Sequence, residues 1–415
     1  MTNTLNSKTI SINSIWFGLF ALYVVVGYFA QDVILPSMIS SLTLYVFLGY
    51  SVFAIIASGK IKPSPIIKWE IACLVASFIA MLYSPSFSVF GGTYYTLIVN
   101  FIIVFILTQM PWTRERFDFV MKAFVFAAAG LIIVLALTGN LQDSSDSGRL
   151  GQDLTGNANI LACMLMVAAI YSMWLLMSSD KKGVKFISFI ALLVIYLGMF
   201  LSGGRKYVIM PLIFLYILMM HKGSKKGRLK IISSTFIIAI VALVVYLLIM
   251  KVPFFYNIIG VRFEGFFEFL GDNRGKADGS TLLRYQMIDA AWEKWPERPL
   301  FGHGFDSFKY YNEQFVTGHY YYSHNNFLEL LYNQGIVGFA IYYSFYVYLV
   351  IKAWRLKNNF LYRGFIIGAV AAWLLFEYYG ITYSTTPTQI MLFFCFNLIN
   401  QSKNQEDLCK EEIEK

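Results

Sequence analysis

Arg149 in "DSGRLGQDLTGNANILA", Arg205 in "LSGGRKYVI", Arg284 in "GSTLLRYQM" and His324 in "YYYSHNNFLELL" stand beside or just ahead of long apolar runs. Guanidinium groups stay charged at any working pH and offer paired donors suited to phosphate oxygens. Arg205 and His324 each precede an expected helix, whose first turn has free N–H groups and a positive potential that favours an anion. That same potential drives an adjacent imidazole towards its neutral form. Neutral imidazole accepts protons, so His324 is a candidate general base. Ser323 is the expected cap of the helix that follows.

Other polar residues have readings of their own. Glu377 interrupts an apolar run, and an acid at membrane depth is a functional candidate, either to orient His324 or Arg205 or as a second base. Tyr320, Tyr321 and Tyr322 suit an interfacial aromatic belt or a platform for a sugar ring. His303, between two glycines, reads as a turn residue and His319 as a solvated loop residue. Asp143, Asp146 and Asp153 could together hold a divalent ion, although their spacing matches no calcium loop. Each cation also has a plainer use: an arginine at a membrane edge can anchor to lipid phosphate, and a histidine can simply cap a helix.

The elements that must position these residues follow from composition. The 415 residues are 58% hydrophobic and 14% charged, with mean hydropathy +0.60. No soluble domain hides that much apolar surface. Apolar runs near 14–30, 33–58, 69–84, 90–109, 119–138, 159–177, 186–202, 207–221, 231–250, 326–351, 364–380 and 386–400 are each about as long as the roughly 20 residues of a spanning helix. They do not alternate as barrel strands do, so the chain reads as an all-α, polytopic integral membrane protein with about 12 transmembrane helices. The first run reads as a helix rather than a secretory signal, because Tyr28 stands where cleavage needs a small residue. Cys73, Cys163, Cys395 and Cys409 avoid long polar loops, so neither a disulfide framework nor a zinc site is expected.

With both termini cytoplasmic, 22 of the 33 lysines and arginines fall in inner segments, as the positive-inside rule requires. This topology, rather than nucleic-acid binding, explains the +9 net charge. The expected organisation is helices one to nine over 1–250, a large extracytoplasmic loop over 251–325, helices ten to twelve over 326–400 and a cytoplasmic tail over 401–415. Within the loop, Leu282–Trp295 has helical apolar spacing and should lie on the membrane surface or cap the bundle. His324 then sits at the extracytoplasmic face, where helix ten enters the membrane.

Four segments resemble the bacterial O-antigen ligase and polymerase superfamily (the Wzy/WaaL type). "RPLFGHGFDSF" is similar to its Pro-x-x-Gly-x-Gly-x-x-x-Phe signature through Pro299, Gly302, Gly304 and Phe308. "SHNNFLELLYNQGIVG" is similar to its His-Asn…Gly-x-x-Gly pattern through His324, Asn325, Gly335 and Gly338. "SGGRKYVI" resembles its Ser-x-Arg element, with two glycines rather than one residue between Ser202 and Arg205. Arg149, Asn159, Leu161 and Ala162 resemble its Arg…Asn-x-Leu-Ala element, with Ala158 where a proline is common. The likeness covers roughly 149–340, in order.

The resemblance implies a GT-C-like helical bundle in a bacterial inner membrane. It implies transfer of glycan from an undecaprenyl-pyrophosphate-linked oligosaccharide to a hydroxyl, with inversion and with no cofactor, metal or nucleotide sugar. His324 would be the base, with Glu377 a second catalytic candidate. Arg205, Arg284, Arg149 and Lys206 would hold the pyrophosphate, and Tyr321, Tyr322 and Asn325 the glycan. The leading expectation is a polysaccharide polymerase, with a chain-length regulator as a candidate partner. The nearest alternative is an O-antigen ligase acting on lipid A-core or another acceptor. A flippase for the same lipid-linked glycan is a third reading. Transporters tend to show repeated halves and polar groups near the bilayer midplane, whereas here the polar groups crowd one edge.

Overall fold

The computed structural model describes residues 11–30, 34–85, 92–141, 148–222, 228–270, 279–356 and 359–413. Their regular structure is entirely helical, with no strand among them. In chain order the helices are α1 Ile12–Phe29, α2 Ser37–Ser58, α3 Pro65–Met81, α4 Gly92–Gln109, α5 Arg114–Leu137, the one-turn α6 Gln152–Thr155, α7 Ala158–Ser178, α8 Lys182–Leu201, α9 Arg205–Lys222 and α10 Arg228–Lys251. The stretch between the ninth and tenth apolar runs folds into α11 Pro253–Phe255, α12 Val261–Leu270, α13 Gly279–Lys294 and α14 Phe308–Phe315. The chain closes with α15 Asn326–Trp354, α16 Phe360–Glu377 and α17 Thr386–Ile413.

Every one of the twelve apolar runs coincides with a helix. Among the described residues, α1, α2, α4, α5, α7, α8, α10, α15 and α16 are long and apolar enough to cross a membrane. Of the remainder, α3 has 17 residues, α9 carries charge at both ends and α17 continues into a polar sequence. Helix boundaries depart from hydropathy boundaries for local reasons. Pro65 at the first position starts α3 ahead of its apolar run, because proline fits where no N–H partner exists. Asn359 caps α16 by accepting from Tyr362 N–H at 3.3 Å, so that helix includes Arg363. The backbone of α17 runs on through most of the expected 401–415 tail.

The bundle is all-α and polytopic, with its core around α5, α7, α16 and α17. Trp174, Phe117, Phe365 and Phe394 are fully buried there, with rings edge to face at 5.0–6.3 Å. α9 lies against α16 where Gly364 and Gly368 bring the backbones close: a Cβ on Gly368 would lie 3.1 Å from Phe214 O. One end of the bundle collects basic residues against aromatic faces, as with Arg114 over Trp174 at 4.5 Å and Arg363 over Trp354 at 5.7 Å. At the opposite end α7, α9 and α15 begin and α8 and α16 finish.

α13 forms a small second core with α15, in which Met287, Ala291, Phe308, Leu328 and Tyr332 are buried together. It therefore caps the bundle, the second of the two placements expected for Leu282–Trp295. This cap is joined to α15 through backbone. Gly335 interrupts α15 with φ 64° and ψ −168°. At that break Ile336 and Val337 N–H donate to Pro299 O (2.8 Å) and Leu300 O (3.1 Å), not to the preceding helical turn. In exchange, Tyr332 O and Asn333 O accept from His303 N–H (2.7 Å) and Gly304 N–H (3.1 Å). The glycine spacing follows from this exchange. A Cβ on Gly335 would lie 2.3 Å from Leu300 O, and one on Gly302 2.6 Å from Asn333 C.

Candidate functional site

His324 lies in the turn just before α15, with φ +59°, a left-handed conformation unusual outside glycine. Such a residue costs of order 1–3 kcal/mol and needs its neighbours to hold it. They do. Asn325 Oδ1 accepts from Leu328 N–H at 3.1 Å, so Asn325, not Ser323, caps α15. The cap position needs extended backbone, and Asn325 has it at φ −137° and ψ 113°. Ser323 instead bridges the turn, its hydroxyl donating to Asn325 O at 3.0 Å.

Ser323 N–H also donates to Glu329 Oε2 at 2.7 Å, and Glu329 Oε1 accepts from Asn333 Nδ2 at 3.0 Å. Asn333 Oδ1 in turn accepts from the N–H groups of Ser307 and Phe308, both at 3.1 Å. A buried polar chain thus runs from the histidine turn to the start of α14. Every link is hydrogen-bonded, as buried polar groups require.

The expected cations gather at this end. Arg149 Nε donates to Ser202 O at 2.8 Å and its Nη2 to Asn159 Oδ1 at 3.2 Å, which joins two residues of one sequence element. Gly203 leaves room for that guanidinium, since a Cβ there would lie 3.3 Å from Arg149 Nε. Arg205 Nη1 donates to Arg262 O, and its Nη2 to Thr281 Oγ1 at 3.2 Å, one turn before Arg284 on α13. Lys206 Nζ donates to Tyr379 O at 2.7 Å and lies 4.4 Å from the centre of the Phe376 ring.

Mutual electrostatics record the crowding. Burial, then Arg262, Arg284 and Arg205, lower the Arg149 guanidinium to about 10, against a partial opposing effect of Tyr207. Burial, then the charges of Arg284 and Lys206, push the His324 imidazole down to about 3. Arg149, Arg205, Arg262 and Arg284 therefore form one cluster, and Arg284 with Lys206 reaches on to a neutral imidazole. Arg262 was not among the expected residues, and only its position in space connects it with the others.

The remaining expected residues are placed less uniformly. Tyr322 is half-buried, its ring 4.6 Å from that of His324. Tyr321 is 49% exposed and lies 5.5 Å from His319. The Asn325 amide oxygen is taken by its capping role. Glu377 is fully buried. Its carboxylate accepts from Thr382 Oγ1 at 2.6 Å and from the hydroxyls of Tyr346, Tyr343 and Tyr342 at 2.7, 2.9 and 3.2 Å. The acid thus faces a hydroxyl cage of its own, not His324 or Arg205. His303 lies beside Tyr332, ring centres 4.5 Å apart, and its Nε2 is 3.1 Å from Lys294 O. His319 is exposed, as expected. Asp143 and Asp146 lie outside the described residues, as does the Asp153 side chain.

A comparison with curated proteins returned no match. A comparison with family models matched residues 190–343 to the family described as O-antigen ligase. The matched stretch runs from within α8 to Tyr343 of α15, and so takes in Arg205, Arg262, Arg284, His324 and both glycine elements of the backbone joint. Residues 190–343 are thus similar to the O-antigen ligase family over the stretch that holds most of this cationic cluster and His324.

Proposed function

We propose that this chain is an inverting, GT-C-type glycosyltransferase of a bacterial inner membrane that joins undecaprenyl-pyrophosphate-linked repeats into a capsular, exopolysaccharide or O-antigen chain. The observation that supports this reading is the cluster of Arg149, Arg205 and Arg262 with Arg284, the last of which, together with Lys206, also holds the His324 imidazole neutral. The site would face away from the cytoplasm, as the distribution of basic residues requires.

In this reaction a sugar hydroxyl of one lipid-linked repeat attacks the anomeric carbon of another. As the new C–O bond forms, His324 takes the hydroxyl proton. The bond from the anomeric carbon to the diphosphate breaks, and its electron pair leaves with the diphosphate. Cations fixed where that charge develops stabilise the transition state more than the ground state, often the largest catalytic contribution. A bound diphosphate also raises the proton affinity of the imidazole, since its negative charge offsets Arg284 and Lys206. Attack opposite the leaving group inverts the anomeric centre. Tyr321 and Tyr322 offer ring faces to the glycan, and Asn325 and Glu377 hold the turn and the end of α16 in place.

Purified protein supplied with a defined lipid-linked repeat tests this. His324→Ala should lower elongation by about 10²–10⁴-fold, the usual contribution of a general base. Arg205→Lys should recover little of the loss seen in Arg205→Ala, because an ammonium cannot reproduce a paired contact. Full activity in folded His324→Ala would remove the base. Surface glycan from a deletion strain separates polymerase from ligase: single attached repeats indicate a lost polymerase, complete unattached chains a lost ligase.

A further inference from the structure

Inside the bundle, α3, α15 and α17 meet around a cavity of about 20 Å³, lined in part by Glu70, Ser77, Gln334, Tyr342 and Gln389. α3 runs antiparallel to α15 there: Trp69 Nε1 donates to Ile341 O at 2.9 Å, and Ser77 Oγ to Gln334 Oε1 at 3.4 Å. Glu70 thus lies at membrane depth, about 8 Å along α3 at 1.5 Å per residue. It is 4% exposed. Its Oε1 has no hydrogen-bond partner among the described residues, and none of their ion pairs includes it. Gln389, 2% exposed, uses its amide nitrogen on Tyr383 O at 2.9 Å, which leaves its Oε1 likewise unmatched. Two buried acceptors on one cavity, one of them a carboxylate oxygen, call for hydrogens or for positive charge. Gln334 reaches the same cavity from just before the Gly335 break, and Gly338 makes room for it: a Cβ there would lie 2.3 Å from Gln334 Cβ and 2.9 Å from its Oε1.

We propose that this cavity binds one sodium ion, held by side-chain oxygens of Glu70, Gln389, Gln334 and Ser77. Its volume admits a single water-sized particle, a better fit to sodium than to the larger potassium. A water would match both acceptors but leave the carboxylate charge unanswered, and a buried charge needs a counter-charge. All four side chains offer oxygen, as hard cations require, and one carboxylate balances one monovalent charge. Among the described residues no three acids, histidines or cysteines come together, so a divalent ion lacks its usual ligands. Interrupted membrane helices are also a common frame for sodium, and α15 is interrupted next to Gln334. The ion ties α3 and α17 to α15 beside that break, and so stiffens the joint that carries the cap. It takes no part in bond making, and its role is independent of which glycan transfer the protein performs.

Binding of radiolabelled sodium to the purified chain in detergent tests this. Wild type should show saturable binding of about one ion per chain, displaced by unlabelled sodium about tenfold or more better than by potassium, and not by choline. Glu70→Gln keeps the shape, removes the charge and should weaken binding about tenfold or more. Gln389→Leu, which removes the second unmatched oxygen, should weaken it as well. Glu313→Gln, at an exposed acid on α14, should bind as wild type does. At constant ionic strength the wild-type melting temperature should rise by about 1–2 °C for each tenfold increase in sodium beyond the dissociation constant. Glu70→Gln should lose that dependence. Absence of saturable binding would overturn the assignment in favour of a protonated acid with a water beside it. Equal displacement by potassium, or undiminished binding in folded Glu70→Gln, would overturn it too. If Glu70→Gln does not fold, Gln389→Leu decides, and unchanged binding there refutes the site.

Discussion

His324 combines a strained backbone with a suppressed charge, and both have measurable consequences. Its imidazole is held far below the ordinary histidine value by burial and by Arg284 and Lys206. Between pH 6.5 and about 3 the unfolded chain therefore binds a proton that the folded chain refuses, so stability falls as the pH is lowered through that window. Melting temperatures in detergent should decline on acidification, and less steeply in His324→Gln. For the free enzyme, kcat/KM should show no limb near pH 6.5 that disappears in that variant, because the base is already neutral there. A limb of that kind would contradict the cationic surroundings. At this scale the sequence announced types but not distances. His324 and the three arginines were legible because charge beside an apolar run is costly. Arg262 was not, since "VRFEGFF" reads as one more amphipathic segment. The true cap was misread because Ser323 and Asn325 are equally suited to capping, and only backbone angles choose between them.

The glycine elements acquire a role at the level of helices and loops. They let α15 and the 299–304 loop exchange hydrogen bonds, and so fix the cap that carries Arg284 relative to the helix that follows His324. Gly335→Ala meets both a left-handed backbone and a Cβ 2.3 Å from Leu300 O. It should destabilise the protein by roughly 2–5 kcal/mol and abolish transfer. Gly318→Ala has a similar φ of +72° with nothing near its Cβ, and should cost only about 1 kcal/mol. Comparing the two melting temperatures separates backbone strain from the joint. Glycines three residues apart within an apolar run suggested only a matching pattern. Their physical need became visible when two segments some thirty residues apart were seen to share one hydrogen-bond ladder.

For the whole molecule, the helix plan was the most legible part. A bilayer leaves apolar segments little choice but to be helical, and each apolar run has its helix. Helix ends were less legible, because hydropathy measures the span while caps and prolines set the helix. Sidedness is testable directly. In a cysteine-free background, Phe315→Cys, 72% exposed on α14, should react in intact cells with a thiol reagent that does not cross the inner membrane. A cysteine at Lys60, at the basic end of the bundle, should react only after lysis. The reverse pattern would put the proposed base on the wrong face for a translocated substrate.

The break at Gly335 also bears on how the protein is made. It lies about 14 Å along α15, so two amides and two carbonyls of that helix have no helical partners of their own. In hydrocarbon each unpaired group costs several kcal/mol. With the break in place, α15 is a tolerable membrane segment only while the 299–304 loop is folded back onto it. Loop and helix must therefore come together as one unit, which ties the final shape of α15 to the folding of the cap.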